Sequence, residues 1–308
     1  MKSILYKIKF WLNNARLYTG PITWLSWLVI FTYGLKHGGN FFLGLLTFPA
    51  IALAHLATNL TDDYFDYKDI CEETKECKCK YLKNGSATLC ELRNVIFIFL
   101  LIAAAIGVFL FFKCGIYVLF FALLALFVIL SYPKLSSKGF GDFAVITAYG
   151  PLMFGGVYYV MTKTFSLGVI FLSFACAIIV NTILYAHMLM DFDQDVCVNK
   201  VTLCTKQKSK DKALKILIYF YVCAYICMII LGKFYLLTLI TIPLVIKLYK
   251  SLEIYNNDNK ILPTVSIINY PLNLNKNIPN APFFYRFFMA INISTLFMLL
   301  CCLGIILD

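Results

Sequence analysis

Residues 167–195 read LGVIFLSFACAIIVNTILYAHMLMDFDQD, an uncharged run followed at once by Asp191, Asp193 and Asp195. A run of this length matches the roughly 20 apolar residues that cross a bilayer core as a helix, so it predicts a spanning helix with acids at its end. The pattern occurs a second time. The apolar segment Asn40–Leu60 leads directly into Asn59-Leu-Thr-Asp62-Asp63-Tyr64-Phe-Asp66-Tyr-Lys-Asp69. Carboxylates beside a bilayer are costly unless cations neutralise them, so each cluster is a candidate functional site. Asp62 and Asp66, like Asp191 and Asp195, are four apart and share a face if their helices continue. Two such pairs suit divalent cations that also hold phosphate oxygens.

The rest of the chain agrees with a membrane reading. It has 308 residues, 61% hydrophobic and 14% charged, with a mean hydropathy of +0.80. A soluble domain is not so apolar. Nine segments predict spans: Pro21–Leu35, Asn40–Leu60, Leu92–Phe112, Gly115–Tyr132, Phe143–Met161, Leu167–Met190, Ala213–Leu231, Phe234–Leu252 and Phe284–Leu307. Residues 1–16 are basic and amphipathic and predict an interfacial helix lying on the membrane. The acid clusters follow spans two and six. That spacing predicts an all-α integral membrane fold of two related four-helix units plus a final helix, in a single domain over residues 1–308.

Charge sorts across these spans. Of the 27 Lys and Arg residues, only Lys36, Lys113, Lys163 and Lys233 fall on one side. The others share the side of the N-terminus, which predicts that this side is cytoplasmic in a cell membrane. The net charge of +11 is therefore a topology signal rather than a nucleic-acid footprint. Every Asp and Glu except Asp308 falls on that same side. Loops are expected there at 61–91, 191–212 and 253–285. Cys71, Cys77, Cys79 and Cys90 share the first of them, but their spacing lacks the paired Cys-x2-Cys of a zinc knuckle, so reduced thiols are expected.

The flanks of the acids are specific. Asp191-Phe-Asp-Gln-Asp195-Val-Cys-Val-Asn199-Lys200-Val-Thr202-Leu203 resembles the second aspartate motif of the UbiA superfamily of intramembrane prenyltransferases, with Asn199 in place of a glycine that turns left-handed. Asn59-Leu60…Asp63-Tyr64…Asp66 resembles the first motif of its quinone-forming branch, with Asp62 where that branch carries a second Asn. Started at Asp62, the wider pattern Asn-x3-Asp-x3-Asp gives Asp66 and then Ile70, with Asp69 one place early; started at Asn59, it gives Asp63 and then Tyr67. Lys83-Asn-Gly-Ser86 resembles the Gly-Gly-Ser turn that follows the first motif, and Tyr132-Pro-Lys134, Lys138-Gly-Phe-Gly-Asp142, Tyr149-Gly-Pro151 and the run Gly155–Val160 resemble the loop and fifth helix of 1,4-dihydroxy-2-naphthoate polyprenyltransferases. His187 stands where that branch usually has Asn.

The resemblance implies Mg²⁺-dependent transfer from a polyprenyl diphosphate to an aromatic acid acceptor at the bilayer. It implies Asp62, Asp66, Asp191 and Asp195 as metal ligands, with Lys138 beside the leaving diphosphate. Asn59, Asp63, Tyr64, Tyr132, Lys134, Asp142, His187 and Lys200 are the residues expected to face substrate. His187 is either a general base or an interhelical hydrogen-bonding residue, Asp142 either orients Lys138 or caps a helix, and Tyr132, Tyr149 and Tyr185 are candidates for stabilising an allylic cation. A cation transporter is the rival from another class; it would hold its acids near the bilayer midplane.

Overall fold

The structure, a computed structural model, describes residues 2–67, 79–197, 199–264, 266–272 and 278–308. Asp69, Ile70, Cys71 and Cys77 lie outside the described residues. The helices are α1 (Lys2–Asn14), α2 (Gly20–Lys36), α3 (Phe41–Asp66), α4 (Lys80–Lys83), α5 (Leu89–Cys114), α6 (Ile116–Ser137), α7 (Gly141–Thr162), α8 (Leu167–Met190), α9 (Phe192–Cys197), α10 (Lys210–Leu231), α11 (Lys233–Asn257) and α12 (Ala281–Leu307). Among the described residues, eight of these are long and apolar enough to cross a membrane, α3, α5 to α8 and α10 to α12. The expected span Pro21–Leu35 is α2, whose 17 residues reach about 25 Å.

Helix starts and stops follow local chemistry. Asn40 caps α3 by accepting from the Leu43 amide at 2.9 Å. Thr88 and Glu91 form a capping box at the start of α5. Gly115 (φ 97°) and Gly232 (φ 70°) make the tight turns between α5 and α6 and between α10 and α11. At the acid end the helices run further than expected. Helix α3 continues through Asp66, α9 occupies part of 191–212, and α11 and α12 extend into 253–285. Leaving the hydrocarbon removes the need for apolar side chains but not the backbone hydrogen bonding, so a helix ends only where a cap or a turn residue ends it.

Helix α8 is the axis of the bundle. In its most apolar stretch 61% of the residues are buried, against 6% in α5 and α6, whose side chains face outward. The main core gathers α2, α7, α8, α10 and α12. A second core sits at the acid end, where α1 lays Phe10 and Trp11 edge-on against Tyr81, above Leu56, Leu60, Leu82 and Leu92. Leu5, Tyr6 and Ile8 of α1 stay exposed. At the opposite end Lys36 and Lys233 close on Asp308, at 3.3 and 2.9 Å. Hydrogen bonds from Lys233 and then Lys36 hold that carboxyl below the usual carboxylate range.

Candidate active site

The last turns of α3 carry a polar stripe. His55, Asn59, Asp62 and Asp66 are spaced i, i+4, i+7 and i+11 and share one face. Asp62 and Asp66 are half-buried. Asp63 turns elsewhere. It is 3% exposed, and its two oxygens accept from the Arg16 guanidinium and from the Tyr81 hydroxyl at 3.0 Å. The Cys79 thiol donates to the Asp63 carbonyl at 3.4 Å. Burial, followed by the nearby Asp63 carboxylate, pushes that thiol up to about 12, so it stays protonated at neutral pH. The same two causes raise Tyr81. Arg16 also stands 3.8 Å from Asp62. Burial works against its charge, but Asp63 and Asp62 outweigh that and raise its pKa. Tyr64 packs beside this brace in the second core.

The second cluster sits just beyond α8. Asp191 pairs with His187 one turn back on the same helix, Nδ1 to Oδ2 at 3.1 Å, while the imidazole meets the ring edges of Phe283 and Phe287. His187 is therefore tied within its own helix rather than across helices. Asp195 is buried and lies 3.5 Å from Lys200. Asp193 is 70% exposed and pairs with Lys210 at 2.5 Å, away from the other two. Asn199 has φ 54°, the left-handed turn expected where the motif has glycine, and the Lys200 amide returns to the Asp195 carbonyl at 2.8 Å.

A short turn joins the acid end of α6 to this loop. Lys138 bridges to Val201, and Lys206 donates to the Lys138 and Gly139 carbonyls at 3.1 and 3.3 Å. Lys206 also lies over the Phe140 ring at 4.6 Å. Gly139 has φ +75°, and a Cβ there would stand 2.8 Å from Lys206. Gly139→Ala should therefore destabilise the protein by about 1–2 kcal/mol and free Lys206, checked as a lowered melting midpoint that Lys206→Ala partly masks. Lys134 and Lys138 are both exposed at this turn. Asp142 does not cap α7. It is buried in the first turn and accepts from Asn181 of α8 at 2.9 Å.

The two clusters border one region. The Tyr132 hydroxyl of α6 is within electrostatic reach of Asp62 and of Asp142. The Cys204 thiol, raised by burial above all, feels Asp142 and Asp195. Among the described residues no three acidic, histidine or cysteine side chains already close on a common point. The acids thus stand apart rather than gathered on one point. Tyr185 is fully buried and spends its hydroxyl on the Ala213 carbonyl at 2.8 Å, which makes it a packing residue.

Below the acids lies a polar network that the motifs do not announce. His55 contacts Thr23 (2.9 Å), Tyr149 (2.8 Å), Thr19 (2.9 Å) and Asn59 (3.2 Å). Arg16 and His55 are the principal functional candidates that the sequence motifs pass over. The stripe spacing on α3 marks His55. Arg16 has a weaker signal, as one of three arginines among 27 basic residues.

Residues 21–265 match the model of the UbiA prenyltransferase family. Among solved structures, a UbiA homolog from Aeropyrum pernix K1 is 16% identical with a TM-score of 0.66, over 93% of this chain and 97% of that one. A digeranylgeranylglyceryl phosphate synthase structure is 20% identical with a TM-score of 0.64, over 98% and 100%. A UbiA homolog from Archaeoglobus fulgidus, bound to GPP and Mg²⁺, is 16% identical with a TM-score of 0.57, over 96% and 99%. At these identities the likeness is one of fold. No curated protein matches the chain. The family match covers most of a chain whose spanning helices bring two acid clusters to one end, and the chain belongs to the UbiA prenyltransferase family as a multi-pass membrane prenyltransferase.

Proposed function

We propose that this chain transfers a polyprenyl group from a polyprenyl diphosphate to an aromatic quinone precursor, with 1,4-dihydroxy-2-naphthoate as the preferred acceptor. The observation that carries this reading is the pairing of carboxylates, Asp62/Asp66 and Asp191/Asp195, at the ends of two helices on the same side of the bundle, with Lys138 and Lys200 beside them. Acids at helix ends favour a diphosphate site over a transport path, which would hold them at the midplane. Further support comes from the A. fulgidus homolog, which binds GPP and Mg²⁺.

The donor set fits Mg²⁺. All four groups are hard carboxylate oxygens, and they stand as two pairs that leave coordination positions for phosphate oxygens and water, the arrangement Mg²⁺ prefers. Bound there, Mg²⁺ would neutralise charge on the leaving diphosphate. Lys138, Lys134 and Lys200 add positive charge at the mouth. Asp63, held by Arg16 and Tyr81, keeps Asp62 and Asp66 in place from behind, and Asn59 and Tyr64 flank them. Asp142 fixes the turn that carries Lys138, and His187 fixes the Asp191 carboxylate. When the C–O bond of the donor breaks, Tyr132 offers an aromatic face to the allylic cation, and carbon of the electron-rich ring attacks it. With the naphthoate the attacked ring also loses its carboxyl group as CO₂, giving a demethylmenaquinol, the two-electron-reduced form of the demethylmenaquinone, while the diphosphate leaves. The same reading includes nine spans, α2 being the ninth, with the N-terminus and the acid end facing the cytoplasm of a cell membrane.

Membranes containing the protein, Mg²⁺ and a labelled polyprenyl diphosphate, offered 1,4-dihydroxy-2-naphthoate, 4-hydroxybenzoate and homogentisate in turn, test this reading. Product with the naphthoate and chelator-sensitive turnover are expected. Product only with another of the three would move the acceptor, and no product with any would sink the reading.

A further inference from the structure

We infer that the link between α11 and α12 dips into the bilayer at the acid end, where its turn at Ile267–Tyr270 lays an apolar surface against lipid hydrocarbon and is held at that depth by Asn292.

The link changes character along its length. Residues 256–260 read NNDNK, but 261–272 read ILPTVSIINYPL and carry no charge. Its large apolar side chains do not fold inward to hide. Ile261 is 46% exposed, Leu262 52%, Ile267 89% and Tyr270 56%. A water-facing loop rarely shows four large apolar side chains together. Ile268 and Asn269, between the last two, are buried against the bundle. The turn therefore has a protein side and an apolar outer side.

Its depth can be read from α12. The link enters at Arg286, whose Nη1 donates to the Ile261 carbonyl at 2.9 Å. It then runs down to Asn292, whose Nδ2 donates to the Ile268 and Tyr270 carbonyls at 2.6 and 2.7 Å. These positions are six residues apart on one helix, so the link descends about 9 Å along it. The far polar end of α12 is fixed by Asp308 with Lys36 and Lys233. Asn292 is 16 residues from Asp308, about 24 Å along a helix, and a hydrocarbon core is roughly 30 Å thick. The turn thus reaches about 6 Å inside the near edge of the hydrocarbon, the depth at which interfacial apolar segments lie.

Irregular backbone survives at such depth only where protein supplies its hydrogen bonds. Polar side chains of the spanning helices supply them here. Arg286 is fully buried and, besides Ile261, serves the Ser251 and Pro282 carbonyls at 2.7 and 2.8 Å. Lys247 of α11 donates to the Ser266 hydroxyl at 2.8 Å, and that hydroxyl donates to Asn269 Oδ1 at 3.1 Å. Asn269 Nδ2 returns to the Tyr285 carbonyl at 3.3 Å, and the Tyr285 hydroxyl donates to the Leu272 carbonyl at 3.0 Å. Arg286 also lies over the Tyr255 ring at 4.9 Å, and Tyr255 is within electrostatic reach of Asp191. The inserted turn is therefore anchored beside the second acid cluster.

Spin-label accessibility on the full chain in phosphatidylcholine nanodiscs tests the inference. The chain has twelve cysteines, so a nitroxide is attached through a ketone instead, after Ile267→p-acetylphenylalanine. Asp258→p-acetylphenylalanine marks the polar part of the link, and Phe97→p-acetylphenylalanine marks the exposed face of α5. Relaxation by oxygen, which enters hydrocarbon, is compared with relaxation by a polar nickel chelate, which does not. The oxygen-to-nickel ratio at 267 should resemble that at 97 and exceed that at 258 about tenfold. Asn292→Leu should let the turn rise, so the ratio at 267 should fall toward that at 258 while the ratio at 97 stays unchanged. A ratio at 267 equal to that at 258 overturns the inference, because the surface then faces water. Low accessibility to both reagents also overturns it, because protein then covers the surface. So does an unchanged ratio at 267 in Asn292→Leu, which would show that Asn292 does not hold the turn.

Discussion

Asp191→Asn and Asp195→Asn should each lower turnover by about 10²–10³-fold while leaving the fold intact. Asparagine keeps the size and one oxygen but removes the charge that a cation bound to diphosphate requires. The stability cost is small because the partners reach water. The His187 side chain is 36% exposed and the Lys200 side chain 39%, and each can be rehydrated when its carboxylate is lost. Asp193→Asn is the control. It lies within the same five residues but pairs with Lys210 at the surface, so its variant should turn over within about twofold of wild type. Initial rates at saturating Mg²⁺ and thermal midpoints, measured on the same preparations, separate the two effects. Full activity in either Asp191→Asn or Asp195→Asn would remove that residue from the metal site. In the first cluster Asp66→Asn should fall as far, whereas Asp62→Asn should be milder if Asp62 fills a place that an amide can also fill.

What could be read from the sequence was what is local along it. Apolar runs end in acids at 60–62 and 190–191, and lysines sort by side, so the spanning helices and the shared end of the clusters follow from windows of about 20 residues. The left-handed turn at Asn199 was legible for the same reason, since one residue determines it. Helix ends were not. The apolar run ends near Leu60, but α3 continues through Asp66, because hydropathy reports the solvent and not the hydrogen-bonding ladder. Side-chain partners far apart in sequence were also hidden. Asp142 reads as a cap before an apolar run, yet its partner is Asn181, 39 positions away. Lys206 reads as one more topology lysine, yet it fastens the turn at Lys138 and Gly139. His55 is the instructive case. Its spacing to Asn59, Asp62 and Asp66 is visible in the sequence, but a lone histidine in an apolar segment gains meaning only when Tyr149, on a π-turn 94 positions later, meets it.

Arg16→Met should be the most destabilising single change at the acid end, by about 3 kcal/mol. Asp63 is a buried carboxylate, and its cationic neighbour comes from the short link between α1 and α2, 47 positions earlier. Without the guanidinium, Asp63 retains one hydrogen bond from the Tyr81 hydroxyl and none from a charged group. The protein must then either bury an uncompensated charge or protonate it, and both are costly. The effect would spread. Arg16 sits in the left-handed conformation that redirects the chain from α1 into α2, and Phe10 and Trp11 of α1 pack on the Tyr81 ring that also serves Asp63. Loss of the ion pair should loosen α1 from the bundle, so the amides of α1 should exchange hydrogen faster together with those of 79–84. Asp63→Asn alone should cost much less, because the amide oxygen can accept from Tyr81 and Arg16 still has Asp62 at 3.8 Å. The double variant Arg16→Met with Asp63→Asn should recover most of the loss, since it removes both charges rather than stranding one. If the two single costs instead add, Arg16 works through α1 packing alone and Asp63 is not the charge that it holds.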